Sequence, residues 1–255
     1  MEGMKISIVM AYYNRQKQLD VTLKSFLQYN PKDFNVVIVD DASPEDIVLP
    51  ELPFEVKVIK LTNKTWKNAA IPYNYGFNYA LINNPGIIII QNPECCHMGN
   101  ILESAKTITD GNYISFPCYS QGQGEEPGTM MNHKCATFEG ESAWYNHPFH
   151  NPRYFHFCSV ITAKNLIKLN GFDERFSDGL AYDDDYFVFQ IRKLGLVMEI
   201  PEYPYVVHQW HYNNPVHPNG GELCANNKNV YDTLVLENNY RAKHHITMDL
   251  QWIQK

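Results

Sequence analysis

Apolar positions along this chain follow two alternating rhythms. Residues 6–10, 36–39 and 87–90 are short, nearly continuous apolar runs rich in β-branched side chains, the pattern of strands buried on both faces. Between the first two, Leu19, Leu23, Phe26 and Leu27 recur at helical spacing until Pro31, which cannot continue a helix. Residues 54–59 alternate apolar and polar, as a strand with one wet face does. A helix over 66–82 follows, with Pro72 near its first turns, and Pro85-Gly86 closes it. Strands separated by helices predict an α/β domain whose central sheet is mostly parallel, Rossmann-like and flanked by helices. Ligands of such sheets bind beyond the carboxyl ends of the strands. The polar residues that follow the strands are therefore the first candidates: 11–15, Asp40 with Asp41, and 91–94.

Periodicity dissolves over 117–152, where Gly, Pro, His and aromatic residues crowd together. A long irregular stretch inside a compact domain is usually functional or disordered, and this aromatic content argues against disorder. It reads as a substrate-facing loop. Order resumes with a strand at 157–162, a helix at 163–169, and short strands near 196–200 and 205–208. The tail is polar with a helix expected around 228–240, so the organisation is one domain over 1–212 and an extension, 213–255, packed on it.

Three consecutive carboxylates, Asp183, Asp184 and Asp185, stand directly before a helical apolar run of Tyr186, Phe187, Phe189, Ile191 and Leu194. The helix dipole favours acids there by about 1 kcal/mol or less each. Three adjacent like charges also repel, so capping does not account for all of them. They read as a catalytic edge, one carboxylate as base and its neighbours on substrate hydroxyls or a metal.

Composition narrows the partners. The net charge of −7 and the lack of a basic run argue against nucleic acid. No apolar run approaches the roughly 20 residues that span a bilayer, and no leader pattern opens the chain. Six cysteines without a CxxC pair suggest free thiols in a reducing compartment, hence a cytoplasmic location. Cys95-Cys96-His97 reads as packing, since zinc would need a second ligand pair at recognisable spacing.

With IVMAYYNR on the first strand, VVIVDDAS on the second and NGFDERF followed by YDDDYF downstream, the chain resembles the GT-A glycosyltransferases, specifically their large family 2. Asn74-Tyr75-Gly76 with Ala80 stands where that family carries an ARNxGxxxA helix. The resemblance implies a GT-A fold and transfer from a nucleoside-diphosphate sugar, UDP-linked by preference, to a hydroxyl of a glycan or other acceptor. It implies Asp184 as general base, with Asp183 on acceptor hydroxyls and Asp185 beside them. A single base on the acceptor side implies inversion. Ala11, Tyr13, Arg15, Asp40, Asp41, Asn74 and Asn92 are the implied donor contacts. The family's DxD position reads Gln91-Asn92-Pro93-Glu94, so Glu94 is the implied ligand of a divalent cation, manganese before magnesium. His208 and then His211 are the implied histidine ligands. Tyr73 replaces an arginine of the family motif. In the irregular loop, Trp144 is expected to stack on a sugar ring.

Two other classes remain open on the sequence. A non-catalytic nucleotide-sugar or glycan-binding protein would explain the altered DxD but not the Asp183–Asp185 row. A nucleotidyltransferase would call for a Gly-rich phosphate loop after the first strand, where this chain has Tyr12-Tyr13-Asn14-Arg15.

Overall fold

The first apolar run becomes β1 (Ile6–Tyr12), buried from Ile6 through Met10. A tight turn follows, in which Asn14 takes a positive φ of 48°. Helix α1 (Gln16–Ser25) then buries Leu19 and Leu23. It tightens to a 3-10 turn at Phe26–Gln28 that swings Leu27 outward, so the apolar face ends at Phe26. β2 (Phe34–Asp40) is buried throughout, whereas β3 (Glu55–Lys60) is a half-wet edge strand, as its alternation predicts. The next helix, α2 (Ala70–Ile82), starts at Ala70 rather than 66. Trp66 turns its indole N–H to Asp41, and the Asn68 side chain accepts from the Ala70 amide at 2.7 Å. Those bonds make 66–69 an approach to the helix rather than its first turn. A Cβ on Gly76 would stand 2.4 Å from Val9 Cγ1, so glycine lets α2 lie directly on β1.

The computed structural model describes residues 5–83, 86–124, 143–212 and 218–253. After α2 come β4 (Ile87–Gln91), β5 (Cys95–Met98) and the short α3 (Ile101–Ala105), capped by Asn100. β6 (Asn112–Ser115), β7 (Cys118–Ser120) and β8 (Ala143–Asn146) follow, so ordered strands occupy part of the stretch read as irregular. β9 (Cys158–Thr162) leads into α4 (Ala163–Leu169), which ends on Asn170 in the left-handed region. α5 (Asp183–Lys193), β10 (Val197–Glu199), β11 (Tyr205–His208) and α6 (Gly220–Leu236) complete the order. The last helix lies earlier than expected; beyond it Asn238 has a positive φ of 56°.

The main sheet has seven strands in the order β10-β6-β9-β4-β1-β2-β3. β1 pairs parallel with both β2 and β4, and only β9 is reversed, antiparallel to β4 and β6. That reversal matters for the site. It places the start of β9 beside the carboxyl end of β4, where the Asn92 amide donates to Phe157 O at 3.0 Å. The four isoleucines of β4 are 0 % exposed, each burial worth roughly 1.5–3 kcal/mol. A second sheet, ordered β5-β11-β7-β8, stands beside the first.

The tail is tied to the turn that precedes α5. Glu174 is 0 % exposed and accepts from the amides of His245 and Ile246 at 2.8 and 2.7 Å. It also accepts from the Thr247 hydroxyl and from Asn74 Nδ2. Asn170 accepts from the Leu250 amide and donates to Ala242 O, both at 2.9 Å. Asn227 of α6 donates to Phe176 O and Ala181 O, bracketing the same turn. The polar composition of the tail thus reflects directed bonds into buried polar groups.

Candidate active site

A cleft of about 280 Å³ opens at the carboxyl ends of β1 and β4. One wall is the turn after β1, with Ala11, Tyr13 and Arg15, and the floor is Asn92, Pro93 and Glu94 after β4. The opposite wall comes from Ala69 just before α2, Tyr73 on α2, His156 ahead of β9, and Asp183 and Asp184 on α5. β1 lies between β4 and β2, and a crevice forms at the carboxyl ends of parallel strands where the order of the sheet changes direction.

The acids open α5 behind Tyr182, which has a positive φ of 66° and supplies no side-chain cap. Burial, reinforced by the neighbouring Asp184 charge, lifts the Asp183 carboxyl to about 6. His156 and Asn68 pull it the other way without prevailing. Asp184 has a different partner: His156 Nδ1 lies 2.6 Å from its Oδ1. Burial pushes the His156 imidazole down, but Asp184, with Asp183 behind it, outweighs burial and carries the ring above its ordinary value. Asp185 is half-buried and outside the cleft lining, its carboxyl raised by burial and by Asp184.

Across the cleft floor, Glu94 Oε1 is 3.2 Å from His208 Nε2 and 3.8 Å from His211 Nε2. All three ligand atoms lie within 4.8 Å of one another. The local pairing explains the convergence: β11 runs antiparallel to β5 with His208 opposite Cys95, the residue after Glu94. The Gln209 amide, donating to Glu94 O at 3.0 Å, closes the same corner. Burial alone would raise the Glu94 carboxyl, yet the His208 bond and the two imidazoles hold it below the usual carboxylate range. Burial, chiefly, lowers His211. One carboxylate oxygen and two imidazole nitrogens on a common point form a donor set that fits a divalent transition metal.

Several expected contacts lie elsewhere. Asn74 is 0 % exposed and exchanges bonds with Phe172, accepting from its amide at 2.9 Å and donating to its carbonyl at 2.8 Å. It staples α2 to the turn before α5. Asp40 accepts from the Ser43 amide at 2.9 Å and closes its own turn. Asp41 is engaged by Lys64 and the Trp66 indole, at 2.5 and 2.6 Å. Trp144 is 2 % exposed in β8 and packs on Tyr119, His147 and Tyr205, so it presents no face to a sugar. The rest of the expected sugar loop, 125–142, falls outside the described residues. His97 is a core residue, bridging Tyr29 Oη and Gln91 Oε1 at 2.9 and 2.7 Å.

Sequence reasoning missed His156 and gave Tyr73 no positive role. The Tyr73 hydroxyl lies 3.0 Å from both Gln91 O and Asn92 Oδ1, bracing the floor where the family motif has a cation. Its position in the ARNxGxxxA-like helix was a usable signal. His156 had none, because a lone histidine in an aromatic-rich stretch follows no spacing rule.

This layered sheet with its strand-end cleft is the GT-A glycosyltransferase fold. The S. aureus TarS 1–349 structure superposes with a TM-score of 0.58 at 15% identity, covering 81% of this chain and 60% of that one. TarS 1–349 in complex with UDP-GlcNAc gives 0.60 at 14% identity, covering 83% and 60%. The mannosyltransferase PcManGT from Pyrobaculum calidifontis, in complex with GDP-Man and Mn²⁺, gives 0.53 at 14% identity over 95% of this chain and 67% of that one. Residues 7–160 match the family model described as Glycosyl transferase family 2, and the chain belongs to that family. An uncharacterized glycosyltransferase of Haemophilus influenzae (strain ATCC 51907 / DSM 11121 / KW20 / Rd) is 35% identical over 71 residues, 28% of this chain. The match spans only 24% of that relative's length.

Proposed function

We propose that the chain is an inverting, metal-assisted glycosyltransferase that moves a sugar from a UDP-linked donor to an acceptor hydroxyl. The observation that carries this reading is that one cleft brings Asp184 opposite Glu94, the carboxylate on which His208 and His211 converge. Asp184 takes the proton of the acceptor hydroxyl as that oxygen attacks the anomeric carbon. Asp183, adjacent in the same helical turn, orients the acceptor. Because both acids stand on one turn of α5, neither is placed across the cleft as a nucleophile, which favours direct displacement and inversion. Ala11, Tyr13, Arg15 and Asn92 are positioned to meet the donor. Glu94, His208 and His211 would hold a divalent cation, manganese by donor set, which when bound neutralises charge on the donor diphosphate. The histidines answer the altered DxD: imidazoles supply the donors that a second aspartate would have given.

UDP is favoured by TarS, whose structures include complexes with UDP and UDP-GlcNAc; GDP is the competing base because PcManGT holds GDP-Man. Among the described residues no helix is long and apolar enough to cross a membrane. The five described cysteines are free, which fits a reducing, cytoplasmic setting.

A thermal-shift screen of UDP, GDP, CDP and TDP, each with and without Mn²⁺, tests the reading. Ligand at a hundredfold excess over its dissociation constant stabilises by about 2.7 kcal/mol. A manganese-dependent rise with UDP, followed by UDP release from a UDP-sugar, is the expected result. No shift with any nucleotide would overturn it in favour of a non-catalytic glycan binder.

A further inference from the structure

His156 is the cleft residue that the proposed chemistry leaves unused. Its ring is 7 % exposed and walled by Tyr73, Phe172 and Phe187, with ring centroids at 5.3, 4.6 and 6.3 Å. Its Nδ1 stands 2.6 Å from Asp184 Oδ1 as an ion-pair contact rather than an aligned hydrogen bond, while the Asp184 side chain keeps 36% exposure and lines the cleft. An imidazole caged by three rings cannot follow a wandering carboxylate. A carboxylate gripped through one oxygen can offer only the other.

Resting on the assignment of Asp184 as base, we propose that His156 is its positioning residue, holding Oδ1 so that Oδ2 meets the acceptor hydroxyl. The charged and titratable groups that face the ring are Asp183 and Asp184 of α5 and Tyr73 of α2; Tyr113 of β6 faces Asp184, and Arg153 faces Asp185. Of these, the two aspartates favour the protonated ring against its burial. Orientation is what the pair supplies. It is a large lever, since misplacement of a reacting group by about 1 Å can cost about 100-fold in rate. During transfer the acceptor O–H bond breaks and its proton passes to Asp184 Oδ2. The new glycosidic C–O bond forms as the old one breaks, its electron pair leaving on the diphosphate oxygen. His156 exchanges no atom in this step.

Two measurements on the full chain test the pairing separately from the transferase reading. The first is an NMR titration of the His156 ring in the wild type and in Asp184→Asn. The wild-type ring is expected to titrate above about 6.5, the ordinary histidine value, and the variant ring below it. A midpoint indifferent to the Asp184 substitution would overturn the proposal. The second is diphosphate release from a panel of UDP- and GDP-sugars by His156→Ala and His156→Asn. His156→Ala should lose about 100-fold in kcat with the donor KM within about 3-fold. Asn, whose side-chain amide can stand near the Nδ1 position, should recover about 10-fold of that loss. A KM rise at unchanged kcat, or an Asn variant no better than Ala, would count against positioning. A wild type that turns over no donor would fail the transferase reading, and the titration would still decide the pairing.

Discussion

Glu94 and His208 meet at 3.2 Å across the seam where β5 and β11 pair antiparallel. Their contact converts a strand register into a candidate ligand set, because His208 ends β11 opposite Cys95 and Glu94 stands just before β5. His211 is drawn to the same carboxylate oxygen from the segment after β11.

Replacing either histidine should therefore raise the manganese requirement. His208→Ala is expected to increase the Mn²⁺ concentration for half-maximal donor turnover by roughly 10-fold or more. His211→Ala should have the smaller effect, since its nitrogen is the more distant at 3.8 Å. Metal titration of both variants checks this, and an unchanged requirement in both would dissolve the triad.

Asp184→Asn should abolish transfer while leaving UDP affinity within about 3-fold, because proton removal needs the carboxylate and nucleotide binding does not. The measurement is single-turnover transfer beside nucleotide titration. Persistent turnover would move the base to Asp183.

Asp183 makes stability depend on pH in a defined window. Its folded value, about 6, stands above the unfolded 3.8, so the folded protein holds that proton more tightly. The stability it contributes is present below about 4 and lost as pH rises through about 6. Asp183→Asn should therefore gain melting temperature relative to wild type across this window, by about 2–5 °C at its upper end. A constant difference between the two proteins from pH 4 to pH 7 would contradict the assignment.

Glu174 acts in the opposite sense. Burial pushes its carboxyl up, but the Thr247 hydroxyl and the His245 and Ile246 amides pull it below the ordinary value. Its contribution is present above the unfolded value near 4.5 and lost as pH falls through the folded one. Glu174→Ala strands the amides that it satisfies and should cost about 3 kcal/mol or more in denaturant unfolding. A loss under about 1 kcal/mol would mean that water replaces the carboxylate.

Trp144→Phe should lower the melting temperature and leave donor and acceptor KM within about 2-fold, because the indole is packed rather than presented. Acceptor KM rising about 10-fold or more would restore the stacking role.

The strands of the main sheet were legible because β-branched runs such as Ile87–Ile90 have few other uses. The strand-end rule then located Tyr13, Arg15, Asn92 and Glu94 at the cleft without knowledge of any contact. The same rule also pointed to Asp40 and Asp41, which lie outside the cleft lining and are held by Ser43, Lys64 and Trp66; position at a strand end does not reveal such partners. The burial of Trp144 had no local signature, because β8 pairs with β7, a strand more than twenty residues away in sequence. His156 was invisible for a topological reason. A reversed β9 delivers the residues before a strand, rather than those after it, to the ligand end of the sheet.

The Asn170 and Glu174 anchors bear on where this protein can be divided. The family match ends at residue 160, yet Asp183, Asp184, the two histidines beside Glu94 and the anchors themselves lie beyond it. A boundary drawn at that point would part the two walls of one cleft. The segment from Ala242 to Leu250 is a foundation stone of that cleft, bearing the turn that leads into the helix of Asp183 and Asp184.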